Sequence, residues 1–157
     1  MLEGDVAAFL SGNVMIVAAT TDAALRPHVG RGCGAYFDVD QGDIVLLASA
    51  SQWPGFHANA RKGGLIAATF ANPSTYRAVQ IKGTIGAIAP ADRAQVERAS
   101  RYLAVMLDLL AGLGVSRLQL SSVFCDADLV AVRFWPADLF VQTPGPGAGA
   151  RIWSEKC

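Results

Sequence analysis

The sequence predicts a mainly β (α+β) domain in which a small antiparallel barrel has helices at its margin. Two observations predict it. Apolar, β-rich segments follow one another with only short turns between them, such as residues 40–43, and this spacing is typical of hairpins. The helical segments are few and separate the strands into groups, which favours a barrel over an alternating α/β sheet. We expect residues 1–157 to form one domain, with a Pro/Gly-rich tail at 144–157.

Each element has a local signal. Runs of apolar and β-branched residues predict strands at 14–20, 28–39, 44–49, 64–71, 76–89, 126–135 and 139–143. The first of these is apolar on both faces, so we expect it to be buried on both. Helical spacing or capping residues predict helices at 3–13, 52–63 and 90–114. The third helix is the best marked, because its apolar residues recur at helical spacing, and Pro90 suits its first turn.

Composition narrows the class of protein. Hydrophobic residues make up 52% of the chain and charged residues 17%, which argues against disorder and favours an oligomer that hides apolar surface. The net charge is zero and no basic block occurs, so we do not expect nucleic-acid binding. Cys33, Cys125 and Cys157 are far apart, and neither a signal peptide nor a membrane span is evident. We expect a soluble, cytoplasmic protein without a membrane partner.

Two strands carry unusual residues. Gly30, Gly32 and Gly34 alternate along the second strand, which leaves one face as bare backbone. This pattern fits close approach by a ligand or another chain, and it fits a simple barrel bend equally well. In the strand 76–89, Gln80 and Lys82 share one face, while Arg77 lies on the other with Val79 and Ile81. His28 and His57 lack metal-ligand spacing, so no metal site is expected.

Three segments resemble a known family when they are taken in order. They are VAATTDAALRPHV, ANARKGGLIAATFANPSTYRAVQIKG and FVQTPGPGAG, which together span most of the chain. This arrangement resembles the pyridoxamine 5'-phosphate oxidase-like FMN-binding split barrels. The resemblance implies an antiparallel split β-barrel with flanking helices, and a homodimer that holds FMN in two clefts at the subunit interface.

The resemblance also implies a set of cofactor contacts. Gln80 meets the pyrimidine edge of the flavin, Lys82 or Arg77 meets the phosphate, and the glycine face covers the ring. The implied cofactor-binding residues are Gly30, Arg31, Gly32, Ser49, Ser51, Arg77, Gln80 and Lys82. Arg77 has a second interpretation as the partner of an acid across the dimer. Gln80 and Lys82 also have a second interpretation, as residues of a hydrated strand face.

Two positions differ from the better-known members of that family. Their phosphate-binding Arg and Lys correspond here to Gly30 and to residues 55–56. The PGPGAG segment at 144–149 either closes over the phosphate through its N–H groups or forms an extended tail.

The resemblance implies an FMN-binding, oxidoreductase-like protein of unknown substrate, for which the sequence identifies no catalytic residue. The alternative is a non-enzymatic binding module with the same barrel, cofactor-free or holding haem or a deazaflavin.

Overall fold

The structure is a computed structural model that describes residues 4–120 and 122–154. Its helices are α1 Gly4–Leu10, α2 Pro54–Asn59, α3 Arg93–Gly112 and α4 Arg117–Leu120. Its strands are β1 Met15–Thr21, β2 Pro27–Asp38, β3 Asp43–Ser49, β4 Leu65–Ala71, β5 Ala78–Pro90, β6 Leu129–Val141 and β7 Arg151–Ser154. The first residue of the predicted opening helix, Glu3, and the last cysteine, Cys157, lie outside the described residues.

The described strands form one antiparallel sheet that closes on itself. Their order is β3-β2-β1-β4-β5-β6-β7, and β3 also pairs with β6. Strands β1 to β6 therefore make a barrel, and β7 is added to β6 outside the ring. Closure removes the sheet edges that an open antiparallel sheet would expose. The predicted antiparallel barrel with flanking helices is confirmed.

The barrel interior is filled by every second residue of its strands. In β1 the even-numbered residues Ile16, Ala18 and Thr20 are buried, whereas the odd-numbered ones are half-buried. This alternation is the pleat of a strand with one face on a core. Phe56 of α2 and Leu10 of α1 join the same interior cluster. The two short helices therefore pack against the core that the strands enclose.

Helix α3 packs on the outside of the barrel. Its residues Ala99 and Leu103 contact outward side chains of β3, Val45 and Leu47, in a second apolar cluster. The helix begins at Asp92, whose side chain accepts a hydrogen bond from the backbone N–H of Gln95, and Gln95 caps in return.

Several local expectations differ from the structure, among them the burial of β1 on both faces, since its odd-numbered residues are only half-buried. Pro90 ends β5 instead of opening α3, because the capping box starts the helix at Asp92. The two late strands are one strand, β6, which shifts register twice along β5 and so continues through Pro136. Helix α4 was not predicted. The predicted tail contains the strand β7.

The register shift between Lys82 and Gly83 depends on glycine. A Cβ at Gly83 would overlap the carbonyl oxygen of Trp135, so only glycine allows β6 to approach this closely. None of the described helices is long and apolar enough to cross a membrane.

Candidate functional site

One side of the barrel, which we call the open face, keeps its outward side chains partly exposed. It consists of the outward residues of β1, β4 and β5 with the adjoining parts of β2 and β6. These residues are Val17, Ala19, Thr21, Val29, Arg31, Leu65, Ala67, Thr69, Gln80, Lys82, Thr84, Asp138 and Phe140. Many are small, and the large apolar ones at its border are exposed, Val29 by 55% and Leu65 by 57%. Such a surface is flat and apolar at its centre.

Strand register places three of the predicted site residues on this face. One cross-strand row runs Arg31, Val17, Thr69, Gln80 and Phe140. The neighbouring row on the same face runs Val29, Ala19, Ala67, Lys82 and Asp138. Arg31 and Gln80 are three strand spacings apart, which is about 14 Å. The structure thus brings Gln80 and Lys82 side by side and sets Arg31 across the face from them.

The polar groups of the open face are only partly engaged. Gln80 Nε2 donates a hydrogen bond of 3.1 Å to Thr69 Oγ1. The ammonium of Lys82 lies 4.8 Å from the centroid of the Phe140 ring, a cation–π contact. Asp138, opposite Lys82, pairs instead with Arg151 at 3.2 Å. Among the described residues no carboxylate pairs with Lys82, so its charge is available to an anion.

A cavity of about 390 Å³ opens on this face beside Lys82. The backbone or side chains of Ala19 and Ala67 form part of its wall, together with Thr84 and Leu65. Arg61 lies close by, because its Nη1 donates to the carbonyl oxygen of Thr21, another wall residue, at 3.5 Å. The cavity has the size of a small-molecule pocket and combines apolar walls with the cation of Lys82 and with Asp138, whose carboxylate is paired with Arg151.

Arg77 lies elsewhere, at the end of the barrel beside α1. Its Nη2 pairs with Asp5 at 3.1 Å, and its guanidinium stacks on the Phe9 ring at 4.5 Å. The partner among the described residues is thus an acid of the same subunit, and pairing with an acid across a dimer stays a prediction. Arg77 also precedes β5, so its predicted place within that strand is wrong.

The glycine face of β2 is not bare. A Cβ on Gly30 would meet Phe56 and Trp53 at 3.1 Å, and one on Gly32 would meet Ile16 at 2.8 Å. Both glycines face the barrel interior, where side chains of the same subunit already fill the space. The expectation that this face covers a flavin ring is therefore wrong, and close packing explains the glycines.

Ser49 and Ser51 lie at the end of β3, away from the open face. Their hydroxyl oxygens are 3.3 Å apart, and Ser49 Oγ accepts a hydrogen bond from the backbone N–H of Gln52. Ser49 is fully buried whereas Ser51 is exposed. Their predicted contact with phosphate stays a prediction.

The segment that follows Ser51 holds three buried polar atoms without a hydrogen-bond partner among the described residues. They are Gln52 Oε1, Trp53 Nε1 and His57 Nδ1. No local pattern in the sequence indicates them, because only the packing of α2 against the barrel buries them.

The PGPGAG segment is a compact hairpin loop between β6 and β7. Gly149 N–H donates to the Val141 carbonyl at 2.7 Å, and Val141 N–H donates to Ala150 at 2.9 Å. The extended interpretation of these residues is wrong. Closure over a phosphate stays a prediction.

Solved structures share this architecture. HupZ of Group A Streptococcus has a TM-score of 0.55 and 16% identity, with 96% of this chain and 99% of that chain covered. A protein named F420 reductase has a TM-score of 0.51 and 15% identity, with 88% of this chain and 98% of that chain covered. A candidate pyridoxamine 5'-phosphate oxidase from Lactobacillus delbrueckii has a TM-score of 0.52 and 16% identity, with 88% of this chain and 93% of that chain covered.

The chain has the split-barrel fold. The resemblance that the sequence carries is thereby confirmed for the fold. No protein-family model and no curated protein matches the sequence. At these identities the structural likeness describes architecture, and the chemistry has to be argued from the residues themselves.

Proposed function

We propose that this protein is a flavin-binding, oxidoreductase-like homodimer that holds FMN against the open face, between two copies of the chain. The observation that carries the proposal is the placement of Lys82 and Gln80 beside a flat patch of small residues that ends, across the sheet, at Arg31. A planar anionic ligand needs a flat surface for its ring and cations for its charge.

The residues present fit the flavin ring in a defined way. Ala19 and Ala67 sit at the centre of the open face, and their short side chains allow a planar ring to approach the sheet. The remaining hydrogen-bonding capacity of the Gln80 amide suits the pyrimidine edge of the ring. The ammonium of Lys82 is placed to stabilise negative charge on the same edge.

The phosphate has two candidate partners on the same surface. Arg31 lies across the face from Lys82, on the order of 15 Å away, a span that a flavin with its ribityl phosphate can bridge. Arg61 borders the cavity next to Thr21. Arg77 is removed from this list because its guanidinium is held by Asp5 and Phe9 at the far end of the barrel.

A second copy of the chain would complete the site. The exposed side chains of Val29 and Leu65 border the open face, and their burial against a partner would exclude water from the bound ring. When bound, FMN supplies hydride transfer at its N5 atom. The contribution of this chain is to bind the ring, orient it against β4 and β5, and shield it from solvent.

The same surface accommodates a deazaflavin, and one structural neighbour is named F420 reductase. The ring systems have the same shape, so the open face does not discriminate between them. The non-enzymatic alternative, a binding module with the same barrel that is cofactor-free or holds haem or a deazaflavin, differs in outcome: it would not bind FMN at micromolar concentration.

The proposal is tested by titrating the purified protein with FMN and following flavin fluorescence. Replacing Lys82 by Ala removes the unpaired cation of the cavity, and we expect affinity to fall roughly tenfold. Lys62→Ala is the matched control, because Lys62 is an exposed lysine outside the cavity. Arg77→Ala should leave affinity within about twofold.

Equal FMN affinity in wild type and Lys82→Ala would place the flavin elsewhere. Loss of FMN affinity in Arg77→Ala but not in Lys82→Ala would indicate that the phosphate binds at the end of the barrel. A protein that is colourless as purified and does not bind added FMN would support the binding-module alternative.

A further inference from the structure

A second, smaller groove lies outside the open face, between helix α3 and the turn that joins α1 to β1. Its volume is about 170 Å³, and Ser11, Asn13, Gly34, Arg98 and Arg101 are among its lining residues. Within residues 4–120 and 122–154, no carboxylate lines it. A site of this volume is too small for a whole flavin, because pockets for such ligands start near about 300 Å³. It is large enough for a small charged group.

The two arginines come from one face of α3. They are three residues apart, so both side chains reach the groove from neighbouring positions on the helix. The guanidinium of Arg98 stacks on the Tyr36 ring at 4.6 Å, which fixes its direction. Arg101 is exposed. Neither forms an ion pair with a carboxylate of the described residues, although six other arginines do.

A tyrosine forms another part of the wall. Tyr102 lines the groove and donates a hydrogen bond of 2.8 Å to the carbonyl oxygen of Val14. In a chain with no net charge, the guanidiniums of Arg98 and Arg101, which have no carboxylate partner among the described residues, create a local positive potential at the groove.

Neutral polar groups complete the opposite wall. The side-chain amide of Asn13 makes no hydrogen bond with the described residues and is exposed at the groove. Gly34 also lines the groove; it is buried and has a φ of +126°, a conformation that favours glycine. Side-chain amides bind oxyanions together with guanidinium groups.

We propose that this groove, lined by Arg98, Arg101, Asn13 and Gly34, is a binding site for the oxyanion group of a small phosphorylated or carboxylated molecule, separate from the flavin site. Arg98 forms one wall with a stacked, oriented guanidinium. Arg101 closes the groove from the solvent side. The site takes a headgroup and leaves the rest of the ligand in solvent.

The test titrates inorganic phosphate and, separately, acetate into the protein at constant ionic strength, followed by backbone amide NMR shifts of residues 11–13 and 34. We expect saturable shifts with at least one of the two anions. Arg101→Gln should weaken that binding at least fivefold. Tighter phosphate binding assigns a phosphorylated ligand, and tighter acetate binding assigns a carboxylated one.

The matched control is Arg93→Gln, on the same helix but 93% exposed and paired with Glu97. It should bind the anion as wild type does. Arg98→Lys, which keeps the charge but not the planar fork, should bind more weakly, provided that its amide spectrum shows the native fold. Since Arg101 is exposed, its variant tests the site even if Arg98 variants do not fold.

Three results would overturn the proposal. They are shifts that do not saturate, equal affinity in wild type and Arg101→Gln, or an equal loss in Arg93→Gln. FMN affinity is measured in parallel, and Arg101→Gln should leave it unchanged. A parallel loss of FMN affinity would show that the groove belongs to the flavin site and would overturn its separateness.

Discussion

The two outer sides of the barrel are built from similar strands, but a helix covers one side and leaves the other partly exposed. On the covered face, defined by the outward residues Cys33, Val45, Leu47, Leu129 and Ala131, helix α3 buries the side chains. On the open face, the outward residues of β1 and β4 stay half-exposed. Both faces carry many apolar residues, so apolar content alone does not separate them.

What separates them is the size and charge of the side chains. The covered face carries Leu47 and Val45, which interlock with Ala99 and Leu103 of α3. The open face carries alanines and threonines at its centre, with Lys82 and Gln80 beside them. Small, partly polar side chains interlock poorly with a helix, whereas they allow a planar ligand to lie close to the sheet. Paired substitutions, one on each face, test this difference.

The largest expected effect is on the covered face. Leu47→Ala removes a fully buried side chain and leaves a cavity under α3, which should lower the free energy of unfolding by roughly 2–5 kcal/mol. Leu65→Ala, on the border of the open face, should cost less than about 0.5 kcal/mol in the monomer. Urea denaturation at low protein concentration measures both. Equal losses would mean that the open face is as buried as the covered one.

A smaller effect is expected beyond the end of α3, where Arg133 joins β6 to the β2–β3 hairpin. Arg133 bonds both oxygens of Asp43 at 2.9 and 3.0 Å and Asp38 at 2.9 Å. Asp43 is 5% exposed, so Arg133→Met should cost roughly 1–3 kcal/mol at pH 7 by leaving a buried carboxylate unpaired. Gln41→Ala, on an exposed turn residue, is the control.

The same substitution has a pH signature. The hydrogen bond from Arg133 holds the pKa of Asp38 below its usual value. A lowered folded-state pKa stabilises the protein above the unfolded-state pKa, and that contribution is lost as the pH falls through the folded-state value. The difference between wild type and Arg133→Met should therefore shrink below about pH 4. A difference that stays constant down to pH 2 would contradict this origin.

The open face can be tested as a dimer surface by a matched pair of substitutions. Ala67→Glu places a charge at its centre and should weaken self-association at least tenfold, because an unpaired carboxylate would be buried. Ala104→Glu places the same charge on the exposed side of α3 and should leave association unchanged. Sedimentation velocity over a concentration series distinguishes them. Wild-type association in Ala67→Glu would remove the open face from the interface.

The smallest expected effect is at the loop that leads into β7. Gly149 has a φ of +87°, so Gly149→Ala should lower stability by about 1 kcal/mol through backbone strain. Gly147, in the same loop, does not have a positive φ and has open space where a side chain would go, so Gly147→Ala should be neutral. Thermal unfolding midpoints measure both. An equal shift in the two variants would show that the loop does not hold its conformation.

By itself, the sequence determined the barrel and most of its strands. Alternation and turn residues are local, so β1 to β5 were predicted to within a few residues, and Gln80 and Lys82 were placed on one face by the period of a strand. It could not determine that the outer side of β1 stays half-exposed. An apolar strand has the same pattern whether a helix of its own chain or a second molecule covers it.

Tertiary structure alone decided which polar residues meet. Register across four strands puts Arg31 in one row with Gln80, and closure of the barrel sends Gly30 and Gly32 inward against Phe56 and Ile16. Arg98 and Arg101 line a groove only because α3 packs beside the α1–β1 turn. These contacts join residues far apart in the chain, and no local pattern encodes the pairing register that creates them.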